Sequence, residues 1–306
     1  MRVSLVGLEV CGGVRVFVSV CSVWTSAPAE LFAFAESRST RADVSDTAVW
    51  TLSGNEQRVL FIHGFRGDHH GLQAVAGALV NLRVVSPDLP GFGKSAELEH
   101  HSLSSYSDWL INFHNSTGPY DLVVGHSFGT LIVANAISNG LSTNKVCLIN
   151  PITTRGSTSK SLGNRFAEIY YRIGKNKIFG SWLMSSGLVT RAMSIGLTKT
   201  KNRGTRRFIH DQHGRYFSTY ASTRVAIEGF QAANAGSVFD YAEKLTGPIL
   251  LIAGAKDAVA PIAEQRRLNE VLANSNLLVL EKVGHLSHYE KPVDIAIAIT
   301  KFLETE

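Results

Sequence analysis

The sequence predicts an α/β fold: a doubly wound, mostly parallel sheet interrupted by an inserted helical segment. Three observations lead there. Short runs rich in Val, Ile and Leu recur along the 306 residues, and most are continuous rather than alternating. That is the pattern of strands buried on both faces, hence of a parallel sheet. Helical stretches separate most of these runs, and strand–helix alternation builds doubly wound sheets. Residues 152–237 then break the rhythm, reading as several helices with no convincing strand.

The elements follow in order. "AELFAFAES" reads as a first helix, with Ser26 as N-cap and Pro28 in the first turn, where its missing N–H costs nothing. Strands are expected at 47–53, 58–64, 81–91, 120–127, 145–151, 247–257 and 276–285. Helices are expected at 71–79, 102–115, 129–139, 263–274 and 292–304. Residues 27–151 and 238–306 then form one α/β core, and 152–237 a helical cap. Residues 1–26 are read as an N-terminal extension.

Composition narrows the class. At 44% hydrophobic and 18% charged, the chain is ordinary for a globular domain. No apolar run reaches the ~18–20 residues of a membrane span. Cys11, Cys21 and Cys147 are too few for a disulfide scaffold, so a reducing, cytoplasmic setting is the expectation. The competing reading is export. "VFVSVCSVW" followed by Ala27-Pro28-Ala29 resembles a signal peptide with its cleavage site, although Glu9 lies in the supposed basic region.

The chemistry centres on "GHSFG", residues 125–129. Chance yields roughly 0.2 G-x-S-x-G matches in a chain of this composition, so context must decide. A strand precedes this one and a helix follows it, the setting in which a serine sits on a sharp, strained turn. Gly125 and Gly129 let strand and helix backbones approach. A serine hydroxyl needs a histidine to accept its proton and an acid to hold that histidine. Asp257 follows the strand "PILLIAGAK", and His285 follows the last strand. All three fall at carboxyl ends of strands, where open α/β sheets gather their reacting groups. The N–H groups of Phe65, in "HGFRG", and of Phe128 stand ready as oxyanion donors.

Together "HGF", "PDLPGFGKS", "GHSFG", "GAKDAVAP" and "VGHLSHYEKP" resemble the α/β-hydrolase superfamily in order and spacing over residues 45–304. The resemblance implies an eight-stranded sheet with a helical cap between strands six and seven. It implies Ser127 as nucleophile, His285 as base, Asp257 as its orienter, and Phe65 and Phe128 as oxyanion hole. Asp88 takes a structural position. The expected reaction is hydrolysis of a carboxylic ester or related acyl compound, with an apolar small-molecule substrate, no cofactor and no metal. Close relatives with aspartate at the elbow, the haloalkane dehalogenases and epoxide hydrolases, are disfavoured by Ser127. A non-catalytic receptor of the same fold, a C–C bond hydrolase and a membrane-surface lipase are the alternatives.

Other features receive plainer readings. His288 rivals His285 but does not directly follow the strand-end "VG". His126 is expected to point away from the catalytic face and His63 to buttress the oxyanion loop. Asp68, His69 and His70 are read as a solvated helix start rather than a metal site. "GFGKS" lacks the first glycine of a phosphate loop, Asp88 standing there instead. Within 151–215 lie thirteen basic residues against Glu168 and Asp211, a net +11 in a chain of +5. The expectation is a solvated face, with steering of anionic substrates or lipid surfaces as the alternative. Phe179, Trp182, Leu183, Met184, Leu188, Val189, Met193 and Ile195 line an acyl pocket or form the cap's own core. No nucleic-acid motif accompanies the charge.

Overall fold

The computed structural model describes residues 10–11, 14–15, 26–55, 57–155, 169–174 and 186–305. The apolar run of the signal-peptide reading, residues 16–24, and the pocket candidates from Phe179 to Met184 lie outside these residues.

Eight strands form one sheet: β1 (Ser39–Val44), β2 (Thr47–Leu52), β3 (Arg58–Ile62), β4 (Arg83–Pro87), β5 (Leu122–His126), β6 (Val146–Ile149), β7 (Ile249–Gly254) and β8 (Ser275–Leu280). Their spatial order is β8-β7-β6-β5-β3-β4-β2-β1. Only β2 runs against the sheet, antiparallel to both its neighbours β1 and β4; all other pairs are parallel. The central strands β5, β6 and β7 are buried along their whole length, as their unbroken apolar runs require.

Helices cover both faces. Leu110, Phe128, Ile132 and Leu268 pack on one side; Leu31, Val75, Ile295 and Phe302 pack on the other. Each such side chain contributes about 1.5–3 kcal/mol by leaving water. The first helix, Pro28–Arg38, is capped at Ala27 rather than Ser26. The Glu30 carboxylate accepts the Ala27 N–H at 2.9 Å, which satisfies the N-cap residue's own donor rather than a first-turn N–H.

Between β6 and β7 the described part of the insertion holds the helices Gly187–Leu197, Arg203–Tyr216 and Thr223–Ala233, and residues 169–174 are helical as well. Asn202 and Ser222 cap the last two through their side chains. Ile209 buries fully against Leu286 and Tyr289, and Val225 joins the core cluster containing Phe92. The insertion therefore lies over the carboxyl ends of the strands. Arg191, Lys199, Lys201, Arg203, Arg207 and Arg215 are exposed on it, which fits a solvated basic face. Among the described residues, no helix is long and apolar enough to cross a membrane.

Candidate active site

The elbow comes first. Ser127 takes φ 51° and ψ −117° between β5 and the helix Phe128–Ser138, a conformation that strains any residue with a side chain. Two glycines make the bend sterically possible. A Cβ at Gly125 would sit 2.7 Å from the Gly129 carbonyl oxygen, and one at Gly129 would sit 2.3 Å from the Ile62 carbonyl oxygen. The turn is held by the Ser127 N–H, which donates to the Ile149 oxygen at 3.0 Å, and by the Thr130 hydroxyl, which donates to the Ser127 oxygen.

Three of the residues singled out in the sequence meet here. His285 Nε2 lies 2.8 Å from Ser127 Oγ, and His285 Nδ1 lies 2.8 Å from Asp257 Oδ2. The other carboxylate oxygen of Asp257 accepts the N–H groups of Val259 at 2.7 Å and Ala260 at 3.0 Å. Burial alone would raise the Asp257 pKa. The facing His285 and the bonds from His285, Ala260 and Asn150 outweigh it and hold the carboxyl below its ordinary value. A fixed, ionised carboxylate is what keeps a histidine in one tautomer, its Nε2 turned to the serine.

Phe65 and Phe128 both line the cavity beside Ser127, with their rings edge-on at 6.4 Å. His63 supports the loop as expected: its Nε2 accepts from Leu89 N–H at 2.8 Å and its Nδ1 lies 2.9 Å from the Gly64 oxygen. Asp88 is fully buried and ties its loop together, accepting from His69 N–H and Lys94 N–H, both at 2.8 Å.

Some expectations change. His126 does not point away. Its Nε2 lies 3.3 Å from the His285 backbone oxygen, and its ring lines the cavity. His288 makes no bond to Ser127; its ring packs 4.0 Å from His126. Asp68 and His69 are buried rather than solvated. Asp68, His69 and His70 stand close enough to surround an ion, yet Asp68 Oδ1 is engaged by His70 and His69 Nδ1 by Asp88.

One residue escaped the sequence reading. Asn150, at the end of β6, has φ 50°. Its amide donates to Asp257 Oδ2 at 2.6 Å and to the Gly284 oxygen at 3.3 Å, while its oxygen accepts the Ser287 hydroxyl. It thus locks the acid to the loop that carries the histidine. The only signal was an Asn at a strand end, where left-handed backbone favours that residue.

The triad opens into a cavity of about 480 Å³. Phe65, Phe128, Ile152, Phe230 and Val259 supply apolar wall, and Met193, His213 and Phe217 reach in from the insertion. Of the pocket candidates in the described part of the insertion, Met193 lines it, whereas Leu188 and Ile195 are exposed. A broader cleft of about 610 Å³ near Leu98 and Trp109 holds none of the triad.

A parallel-majority sheet with a serine elbow, followed by acid and histidine on later strand ends, defines a class. The profile of the alpha/beta hydrolase family matches residues 59–298, and the chain belongs to that family. Among curated proteins it is 26% identical over 259 residues to the dihydrolipoyllysine-residue acetyltransferase component of the acetoin cleaving system of Cupriavidus necator, covering 82% of this chain and 64% of the relative. The chain thus spans less than two thirds of that relative's length. It is 23% identical over 255 residues to the uncharacterized hydrolase YugF of Bacillus subtilis, covering 81% of this chain and 90% of the relative. Among solved structures, an esterase from Exiguobacterium antarcticum superposes with a TM-score of 0.71 at 16% identity, over 86% of this chain and 97% of that one.

Proposed function

We propose that the protein is a serine hydrolase acting on carboxylic esters or related acyl compounds. The observation that carries this reading is the unbroken relay from Ser127 through His285 to Asp257, two contacts of 2.8 Å each. His285 accepts the Ser127 proton as Oγ attacks the substrate carbonyl. Asp257, already held ionised, stabilises the imidazolium that forms. The N–H groups of Phe65 and Phe128 receive the developing oxyanion; such donors are each worth about 2.7–4 kcal/mol in related sites. His285 then protonates the leaving alcohol, activates water, and the acyl–serine bond is hydrolysed. The chemistry calls for no cofactor. The helical insertion acts as a cap over the cavity, which accepts a small, largely apolar acyl compound.

The test is a fluorophosphonate probe on wild type and Ser127→Ala, beside a p-nitrophenyl ester series of increasing acyl length. Labelling and turnover that both vanish in the mutant are expected, with a maximum at some acyl length set by the cavity. An unlabelled wild type that is folded would refute the hydrolase reading and favour a ligand-binding role for the same cavity.

A further inference from the structure

The positive charge of the chain is concentrated in the insertion. Residues 151–215 carry a net +11 in a chain of +5, so the rest of the molecule is negative overall. Charge alone suits a solvated face. The side chains beside it do not. Of the six large hydrophobic residues exposed among the described residues, four lie on the insertion: Ile169 at 50%, Ile173 at 49%, Leu188 at 85% and Ile195 at 50%. Exposed apolar residues scattered singly need no explanation, so their arrangement decides.

They are not scattered. In the helix Gly187–Leu197, Thr190 and Ser194 are buried on the inner side. Leu188, Arg191, Ala192 and Ile195 are all exposed, and their spacing of three or four puts them on one outward stripe. Exposed Lys199 and Lys201 follow just past its end. Residues 169–174 repeat the pattern in a short helical segment: Tyr171 is buried, whereas Ile169, Arg172 and Ile173 are exposed. The two segments share an inside. The buried Arg66 guanidinium donates to the Tyr170 and Tyr171 hydroxyls at 3.3 Å and reaches Met193 Sδ at 4.0 Å, so the exposed residues of both segments turn away from that common contact. Within residues 169–215 the sole acid is Asp211, and Arg215 holds it at 3.0 Å. The stripe also borders the site. Gly196, next to Ile195, is exposed and lines the cavity, and so does Val259, another exposed apolar residue.

We propose that this outward face of the insertion seats the protein on membranes rich in anionic phospholipid, with the rim of the cavity turned to the bilayer. The chemistry selects that occupant. A helix that interleaves apolar and basic side chains and carries no acid matches a lipid interface, where Leu and Ile enter the acyl boundary and the Arg and Lys heads stay among the phosphates. A second copy of the chain would bring one strongly basic insertion onto another, and like charges oppose that contact. The charge asymmetry also orients the molecule, since an anionic surface attracts the insertion and repels the negative remainder. Acyl substrates held in the bilayer then reach Ser127 past Gly196 and Val259; this consequence alone rests on the hydrolase reading above.

The experiment is flotation of the full chain with vesicles of phosphatidylcholine alone and of phosphatidylcholine with about 30% phosphatidylserine, at low and high salt. Wild type is expected to float with the anionic vesicles, to stay behind with the neutral ones, and to be released in part by salt. Arg191→Gln should weaken binding about fivefold, and Leu188→Gln and Ile195→Gln about tenfold each. Val271→Gln, which removes an exposed apolar side chain from the helix Ile262–Val271 of the core, should bind like wild type. All four positions are exposed, so thermal melts are expected to stay at the wild-type value and to separate lost binding from lost folding. Wild type that floats with neither vesicle would overturn the membrane and leave the face to an acidic protein partner. Equal binding by the Leu188 and Ile195 variants, or equal loss in Val271→Gln, would overturn the seated face in favour of diffuse charge attraction. Flotation reads no turnover, so a failure of fluorophosphonate labelling refutes the hydrolase reading and leaves this result standing.

Discussion

Asn150 offers the sharpest test of how the site is held. Replacing it by glycine removes the side chain but keeps a residue at ease with φ 50°. Three interactions go, the weakest being the 3.3 Å bond to the Gly284 oxygen. The bond to the Asp257 carboxylate, 2.6 Å long, involves a charged acceptor and contributes about 1.5–3 kcal/mol. The Ser287 hydroxyl loses the oxygen it donates to, and a buried orphan costs about 1–3 kcal/mol. Asn150→Gly should therefore lose about 4 kcal/mol of stability in urea unfolding. Asn150→Ala should lose about 1–2 kcal/mol more, the strain of a left-handed alanine. Activity should fall about 10–100-fold in kcat/KM, since a loosened Asp257 no longer fixes the His285 ring. The carboxyl pKa should rise towards its ordinary value, about one unit per 1.4 kcal/mol removed. The sign follows. Asp257 is more acidic folded than unfolded, so the stability it adds is full above its unfolded pKa and is lost as pH falls through the folded one; in the variant the two values lie closer, so the loss is smaller and is complete at a higher pH. If Asn150→Gly unfolds within 1 kcal/mol of wild type, by the scale of one weak hydrogen bond, and keeps full activity, the reasoning is refuted.

Three other outcomes are expected. Gly129→Ala should not yield stable protein, because its Cβ would press on the Ile62 and His63 carbonyl oxygens at 2.3 and 2.8 Å, backbone atoms that have no room to move; soluble expression and thermal melts decide it. Stability should fall on acidification below about pH 6.5. His126 and His213 are pushed to about 3 and about 4 by burial, so the unfolded chain binds protons that the folded one refuses, at up to about 1.4 kcal/mol per pH unit for each ring. A flat urea midpoint between pH 6.5 and 4.5 would contradict this. Arg66→Met should loosen the insertion, since the buried guanidinium donates to Ser218 Oγ at 2.8 Å and to the Tyr170 and Tyr171 hydroxyls at 3.3 Å. Limited proteolysis within residues 169–220 should speed up, and unchanged cleavage would count against Arg66 as a tie between core and insertion.

What was legible in the sequence is what local chemistry writes locally. The strands β5, β6 and β7 declared themselves because burial on both faces leaves no polar position to interrupt an apolar run. β1 did not. Its residues from Thr40 to Asp43 are all exposed, and along them it is tied to the sheet by pairing with β2, a relation that no hydrophobic period records. Ser127, Asp257 and His285, which the structure brings together, were readable for the same local reason, each standing at the carboxyl end of a recognisable strand. Their supports were not. Asn150 reaches Asp257 across 107 residues of chain, and nothing in "INP" says which carboxylate will face it. The direction of His126 was no more readable, since its ring is met by the His285 backbone oxygen from 159 residues away. Short motifs thus mark where the candidate reacting groups stand, whereas the groups that hold them in place are fixed by contacts that exist only after folding.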